Sequence, residues 1–189
     1  MPFSRLTSLS DTAAGLRRIG GVFVAETSFA NVAEEHLDAV YAFLLYLTGD
    51  RAVAEDLTSE TFERALARWR RFDPRRGTAK TWLCQIARSA ALDHFRSESR
   101  RRRREETYAA AQDVAASDPV FGDGLSPELE SALLSLSRGE REVIALRVIC
   151  DLDGDTSARV LGISRTACST RLSRALRKLE EKVRNDVFA

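Results

Sequence analysis

The chain has no long apolar run: nowhere in its 189 residues does a stretch approach the ~18 apolar residues that a membrane span requires. Gly20 to Ala25 is the best apolar stretch near the N-terminus, and it is also too short for a signal-peptide core. A cytoplasmic protein without a membrane partner is therefore expected. Cysteine is scarce. Cys84, Cys150 and Cys168 are odd in number, far apart and in no C-x-x-C arrangement, which argues against a disulfide framework or a thiolate metal site. Each lies in an apolar helical pattern, so buried reduced thiols are expected rather than redox or metal-binding groups. Only two histidines are present. His36 follows Glu34 and Glu35 without E-x-x-H spacing, and Asp93 and His94 are adjacent, so they point in different directions on a helix. No Gly-rich phosphate loop or nucleophile elbow occurs. These absences leave no basis for catalysis and imply no cofactor and no metal.

The near-neutral net charge of +1 hides strong segregation. Residues 26–60 carry one cationic and eight anionic side chains, a net of −7, whereas residues 62–104 carry 14 and 4, a net of +10. Residues 105–130 then hold no cation and seven anions, and residues 159–184 hold eight cations and two anions. Two basic segments separated by an acidic one suggest two contacts with a polyanion. The competing reading is two solvated helical faces.

Apolar spacing is helical almost throughout, with no convincing strand pattern, and predicts helices over about residues 33–48, 51–72 and 79–103. Gly49 closes the first of these and Asp50 caps the second, while Asp73-Pro74 and Gly77 interrupt the chain before the third. Residues 105–126 change to Ala, Asp, Gly, Ser and Pro without periodicity, the composition of a flexible acidic linker. Helical spacing resumes over about 127–136, 139–150, 153–161 and 165–184. Residues 1–30 form an N-terminal extension without a firm assignment, within which Val22 to Val24 could pair with another segment. The fold class is all-α: two small helical domains, 31–104 and 127–189, joined by the linker.

In DGDTSARVLGISRTACSTRLSRAL, Asp153 can cap a short helix, Gly162 supplies a tight turn and Ser164 can cap the next helix. The pattern is that of a helix-turn-helix, whose second helix enters the major groove. Here that helix offers Arg165, Thr166, Ser169, Thr170, Arg171 and Arg174 to bases and phosphates. Gly154 and Ser157 stand where a better helix former and an apolar contact are expected, which predicts a weakened pair. A second cationic cluster, RRFDPRRGTAKTWL, sets arginines, a lysine and two aromatics around Pro74 and Gly77.

The segments TGD, AEDLTSETF, RFDPRRGT, WL-x-x-IAR and ALDHFR resemble, in order and spacing, the second conserved region of bacterial RNA polymerase sigma factors of the extracytoplasmic-function (ECF) group. LLSLSRGEREVIALR, VLGIS and TRLSRALRKL resemble the fourth region of the same family. Together these segments cover about residues 35–104 and 128–184. The resemblance implies a sigma factor that binds core RNA polymerase and helps open promoter DNA. It places core binding at Glu55, Asp56, Leu57, Glu60 and Thr61, where an acidic patch suits a basic partner and repels DNA. A simple capped helix start would also account for these acids. It places contact with the minus-ten element and its single strand at Phe72, Arg75, Arg76, Thr78, Lys80, Trp82, Arg88 and Arg96, with the arginines on phosphates and Phe72 and Trp82 stacking on bases. Trp69, and in another reading Trp82, belongs instead to the core. The second helix of the helix-turn-helix would read the duplex minus-thirty-five element, and an anti-sigma protein is an expected further partner.

The alternative is a helix-turn-helix repressor with an N-terminal ligand or dimerisation domain, which leaves the Arg-aromatic loop and the acidic patch without a purpose. The promoter bases, the inducing signal and the oligomeric state are not legible in the sequence.

Overall fold

The structure is a computed structural model that describes the backbone of residues 16–19, 22–25, 28–108 and 127–187, and the side chains of 28–104 and 129–184. The chain divides into two compact units, Met1–Glu35 and His36–Ala189. The first contains an antiparallel hairpin, β1 (Leu16–Ile19) with β2 (Val22–Ala25), in which Leu16 faces Ala25 and Ile19 faces Val22. This hairpin gives Val22 to Val24 a partner within the chain and adds two short strands to what is otherwise helical among the described residues. Neither LRRI nor VFVA alternates apolar with polar residues, so periodicity gives no strand signal for them.

Helix α1 (Phe29–Thr48) carries the chain into the second unit and ends where the sequence places its stop. Gly49 adopts φ +67°, the left-handed conformation that glycine accepts without a Cβ penalty. Asp50 then caps α2 (Arg51–Arg68) by accepting from the Val53 N–H at 3.0 Å. A 3-10 turn, Trp69–Arg71, extends α2, and Thr78 caps α3 (Ala79–Tyr108) by accepting from the Thr81 N–H. Helix α3 outruns its expected end by about a turn, because the Arg-rich stretch followed by Glu105 and Glu106 consists of strong helix formers. The remaining predicted linker, 109–126, and residues 1–15 lie outside the described residues. Val40, Phe43, Leu44 and Leu47 of α1, Ala54, Leu57 and Ala65 of α2, and Leu83, Ile86 and Ala90 of α3 are all buried.

The second helical region holds α4 (Pro127–Leu134), α5 (Arg138–Ile144), α6 (Gly154–Leu161) and α7 (Arg165–Val187). Helix α5 opens on a capping box between Ser137 and Glu140 and passes into a π-helical turn, Ala145–Ile149. After that turn Asp151 takes the left-handed conformation, φ 49°, which Asp tolerates better than most residues. The Leu152 N–H returns to the Leu146 carbonyl at 2.9 Å, and Arg147 donates to the Leu152 carbonyl, fixing the approach to α6. Leu133, Leu136, Val143, Leu146, Val160, Leu161, Cys168 and Ala175 are buried.

The two helical regions touch. Arg88 of α3 meets Glu142 of α5 at 2.9 Å, the Arg138 guanidinium lies 4.7 Å from the centre of the Phe95 ring, and the Cys84 and Cys150 sulfurs are 3.5 Å apart. Cys84, Arg88 and Phe95 sit at i, i+4 and i+11, one face of α3.

Candidate nucleic-acid and partner interface

In the second region the helix-turn-helix is assembled by three local devices. Asp153 accepts from the Thr156 N–H at 2.9 Å and from its hydroxyl at 2.6 Å, so its carboxyl is held below the usual carboxylate range. Gly162 turns the chain at φ +68°, and the Ile163 N–H closes on the Ala158 carbonyl. Ser164 caps α7 by accepting from the Ala167 N–H at 3.2 Å. With Cys168 and Ala175 turned inward, Arg165, Thr166, Ser169, Thr170 and Arg174 are left exposed together on the opposite side.

Arg171 departs from that set. It is half-buried, and a Cβ at Gly139 would stand 3.2 Å from its Nη1, so its guanidinium covers the first turn of α5. Arg165 is engaged by Asp155 of α6 at 3.1 Å, though its side chain remains 76% exposed and able to exchange that partner for a phosphate. Lys178 pairs with Glu140 at 2.7 Å; this hydrogen bond, against the opposing effect of burial and together with Ser137, holds the Glu140 carboxyl down at about 2. Ser157 is fully buried, with its hydroxyl 3.4 Å from the Leu152 carbonyl, a long contact for the site where the sequence lacks an apolar side chain.

The loop between α2 and α3 presents the other cationic cluster. Asp73 organises it: its carboxylate accepts from the Arg75 N–H at 3.0 Å and its carbonyl from the Arg76 N–H at 3.0 Å. Arg75, Arg76 and Thr78 are exposed and Lys80 is half-buried. Phe72 stacks on Trp69 with ring centres 5.1 Å apart and planes 11° apart, and Trp82 leans on Phe72 at 5.2 Å. Trp69 is thus half-buried in an aromatic trio at the edge of the fold rather than enclosed in the core, and each of the three rings keeps accessible surface. Arg96 is exposed and close to Asp93, whereas Arg88 is turned toward the other region and held by Glu142. Local periodicity carries no signal for Glu142, which lies 54 residues away from Arg88.

On α2 the five expected contact residues separate into two groups. Glu55 and Asp56 are exposed and Glu60 is half-exposed, bonded to Arg64 at 2.6 Å, while Leu57 and Thr61 are buried. The Thr61 hydroxyl donates to the Leu57 carbonyl at 2.6 Å. Leu57 and Thr61 therefore support the acidic face from beneath. Leu66, apolar yet 59% exposed, is a surface feature of this helix that an apolar stripe alone does not reveal.

Residues 32–101 match the sigma-70 region 2 family and residues 126–179 match sigma-70 region 4. Over 164 residues the chain is 34% identical to the ECF RNA polymerase sigma factor BldN of Streptomyces coelicolor, covering 84% of this chain and 61% of that protein. It is 31% identical to the ECF sigma factor SigE of Mycolicibacterium smegmatis, covering 83% and 62% of the two chains. The chain thus spans about three-fifths of the length of these curated relatives. Among solved structures, the sigma factor RpoE of Bartonella quintana, determined in complex with the anti-sigma factor NepR, superposes with a TM-score of 0.65 at 28% identity, covering 82% of this chain and 96% of that one.

Proposed function

Because the chain belongs to the ECF sigma factors of bacterial RNA polymerase, we propose that it binds core polymerase and directs promoter-specific initiation, a regulatory and cytoplasmic role. The observation that carries this reading is the presence of two exposed cationic surfaces at separate sites, the loop before α3 and the outer face of α7, with an acidic face on α2. The outer face of α7 would read duplex at the minus-thirty-five element, through Arg165, Thr166, Ser169, Thr170 and Arg174. The loop would take the minus-ten element, with Arg75 and Arg76 on phosphates and the Trp69–Phe72–Trp82 trio offering ring faces to displaced bases. Glu55, Asp56 and Glu60 would meet a basic surface of the polymerase.

Arg88 has a double use in this scheme. It is bound to Glu142 where the two helical regions touch, so a DNA phosphate that takes Arg88 competes directly with that contact. Separation of the regions and promoter engagement are then coupled. An anti-sigma protein is proposed as a further partner, consistent with the complex in which the Bartonella relative was solved.

Run-off transcription with purified core enzyme on host genomic templates tests the reading. The expected result is core-dependent transcripts with defined start sites. A repressor would neither bind core nor start transcripts, and that pair of outcomes would overturn it.

A further inference from the structure

We propose that Cys84 and Cys150 form a redox modification site, a dithiol that a hydroperoxide converts into a disulfide tying the two helical regions together. The sulfurs approach to 3.5 Å although the residues are 66 apart in sequence and belong to different helical regions. A disulfide needs about 2 Å between sulfurs, so closure asks the two sulfurs to approach by about 1.5 Å. Both partners are held in place. Cys84 lies in α3 one turn before Arg88, and the Cys150 N–H is bonded to the Ala145 carbonyl at 2.9 Å. The Arg88–Glu142 ion pair and the Arg138–Phe95 contact occupy the same α3 face, so the thiols meet through a specific junction.

The pair is chemically asymmetric. The hydrogen bond with Cys150 lowers the Cys84 thiol, which burial opposes and Lys80, one turn earlier, assists. The same hydrogen bond and burial push Cys150 up, although Lys80 acts on it in the lowering direction too. With the Lys80 ammonium one turn away on its own helix, Cys84 is assigned as the attacking thiolate and Cys150 as the resolving thiol. The Cys84 thiolate attacks the peroxide O–O bond, taking one oxygen as S–OH while the other leaves as water after protonation. Cys150 then attacks the Cys84 sulfur; the S–S bond forms, the S–O bond breaks, and the Cys150 proton departs in the second water. Two thiols lose two electrons in total, and the peroxide gains them.

Both thiols are fully buried while the regions are together. Oxidant therefore reaches Cys84 when the regions part, and reclosure completes the bond. The product fixes the arrangement in which Arg88 is committed to Glu142. The effect on transcription rests on the sigma reading above, whereas the thiol chemistry does not.

The test uses the full reduced chain, treated with hydrogen peroxide and digested without reductant, with core-dependent transcription measured in parallel. A peptide linking Cys84 to Cys150 is expected, with transcription falling about tenfold as the competent fraction is depleted. Dithiothreitol should reverse both. Cys84→Ser and Cys150→Ser should resist this loss, and Cys168→Ser should behave as the wild type; alanine versions replace any serine variant that does not fold. Absence of the linked peptide in peroxide-treated wild type overturns the site. A linked peptide with undiminished transcription overturns the lock. A linked peptide in a protein that never directs transcription, even reduced, overturns the sigma reading and supports the thiol site.

Discussion

Helices α3 and α7 are both rich in arginine, yet they treat their charges differently. On α3, Arg88 is bound to Glu142, Arg96 lies near Asp93, and Arg101 and Arg102 share Glu98. On α7, Arg165 and Lys178 reach acids, but Arg174 and Arg177 are exposed without an ion-pair partner among the described residues. In the first region the exposed arginines without such a partner, again among the described residues, are Arg68, Arg70, Arg71, Arg75 and Arg76 around the loop and Arg100 and Arg104 toward the end of α3. Counting cations along the sequence therefore overstates what α3 offers to a polyanion. Free charge in the first region gathers around the turn between α2 and α3 and again at the far end of α3, whereas in the second it lies along a helix face.

The largest effect should come from the contact where these two regions meet. Arg88→Ala leaves the Glu142 carboxylate, 5% exposed, without its cation. A fully buried pair broken in this way costs about 3–5 kcal/mol; Arg88 is partly solvated and the regions can separate to hydrate Glu142, so about 1–3 kcal/mol is expected. Urea unfolding together with small-angle scattering checks it: reduced stability or an expanded particle is expected, and a double cycle with Glu142→Ala isolates the pair. An additive cycle would show that the two side chains are neighbours without energetic coupling.

Next in size is the contrast between loop and helix as nucleic-acid ligands. Replacing Arg75 and Arg76 with alanine should weaken promoter binding about tenfold and flatten its salt dependence by about 1.4 in log–log slope, the value for two single-strand phosphate contacts. Replacing Arg174 and Arg177 should flatten the slope by about 1.8 on duplex, where each contact releases more counterion. Titrations of holoenzyme against forked and fully duplex promoters separate the two. Equal slopes on both templates would erase the distinction.

Much of the fold is legible in the sequence, because its stops and caps are local. Gly49, Asp50, Gly162 and Ser164 do in the structure what their chemistry predicts. What escapes is long-range. Nothing near Arg88 announces Glu142, nothing near Arg171 announces Gly139, and Cys84 and Cys150 read as separate buried thiols until the backbone brings them together. The aromatic trio is an intermediate case: Phe72 and Trp82 are recognisable as ring surfaces, but Trp69 joins them because the 3-10 turn after α2 carries it toward the loop. Helical periodicity identifies a face. It does not say what that face meets.

Smaller effects are expected from the pair at the start of α5. The Glu140 carboxyl, at about 2 instead of its ordinary 4.5, binds its proton less readily folded than unfolded. Its contribution is complete above about 4.5 and is lost as the pH falls toward about 2. Glu140→Gln can still close the capping box but loses the charge that meets Lys178, so it should lower stability near neutrality by about 0.5–1 kcal/mol and make acid unfolding less steep in that window. Urea midpoints measured across the pH range decide it; parallel curves for the variant and wild type would place the acid sensitivity elsewhere.

Gly154→Ala should give the smallest change, and in the opposite direction. Gly154 is the first residue of α6, right-handed in φ, and a Cβ there would meet no atom within 4 Å. Alanine restricts the unfolded chain without straining the folded one, which stabilises by about 0.4–1 kcal/mol. A rise in Tm of about 1–4 °C is expected for a chain of this size. The Asp153 cap acts on Thr156 and is untouched, as are the exposed cations of α7. Promoter affinity and its salt slope should therefore stay constant while Tm rises, separating stability of the helix-turn-helix from the charge it presents. A higher Tm with altered affinity would mean that glycine at this position serves the docking of α7 on DNA and not only the start of α6.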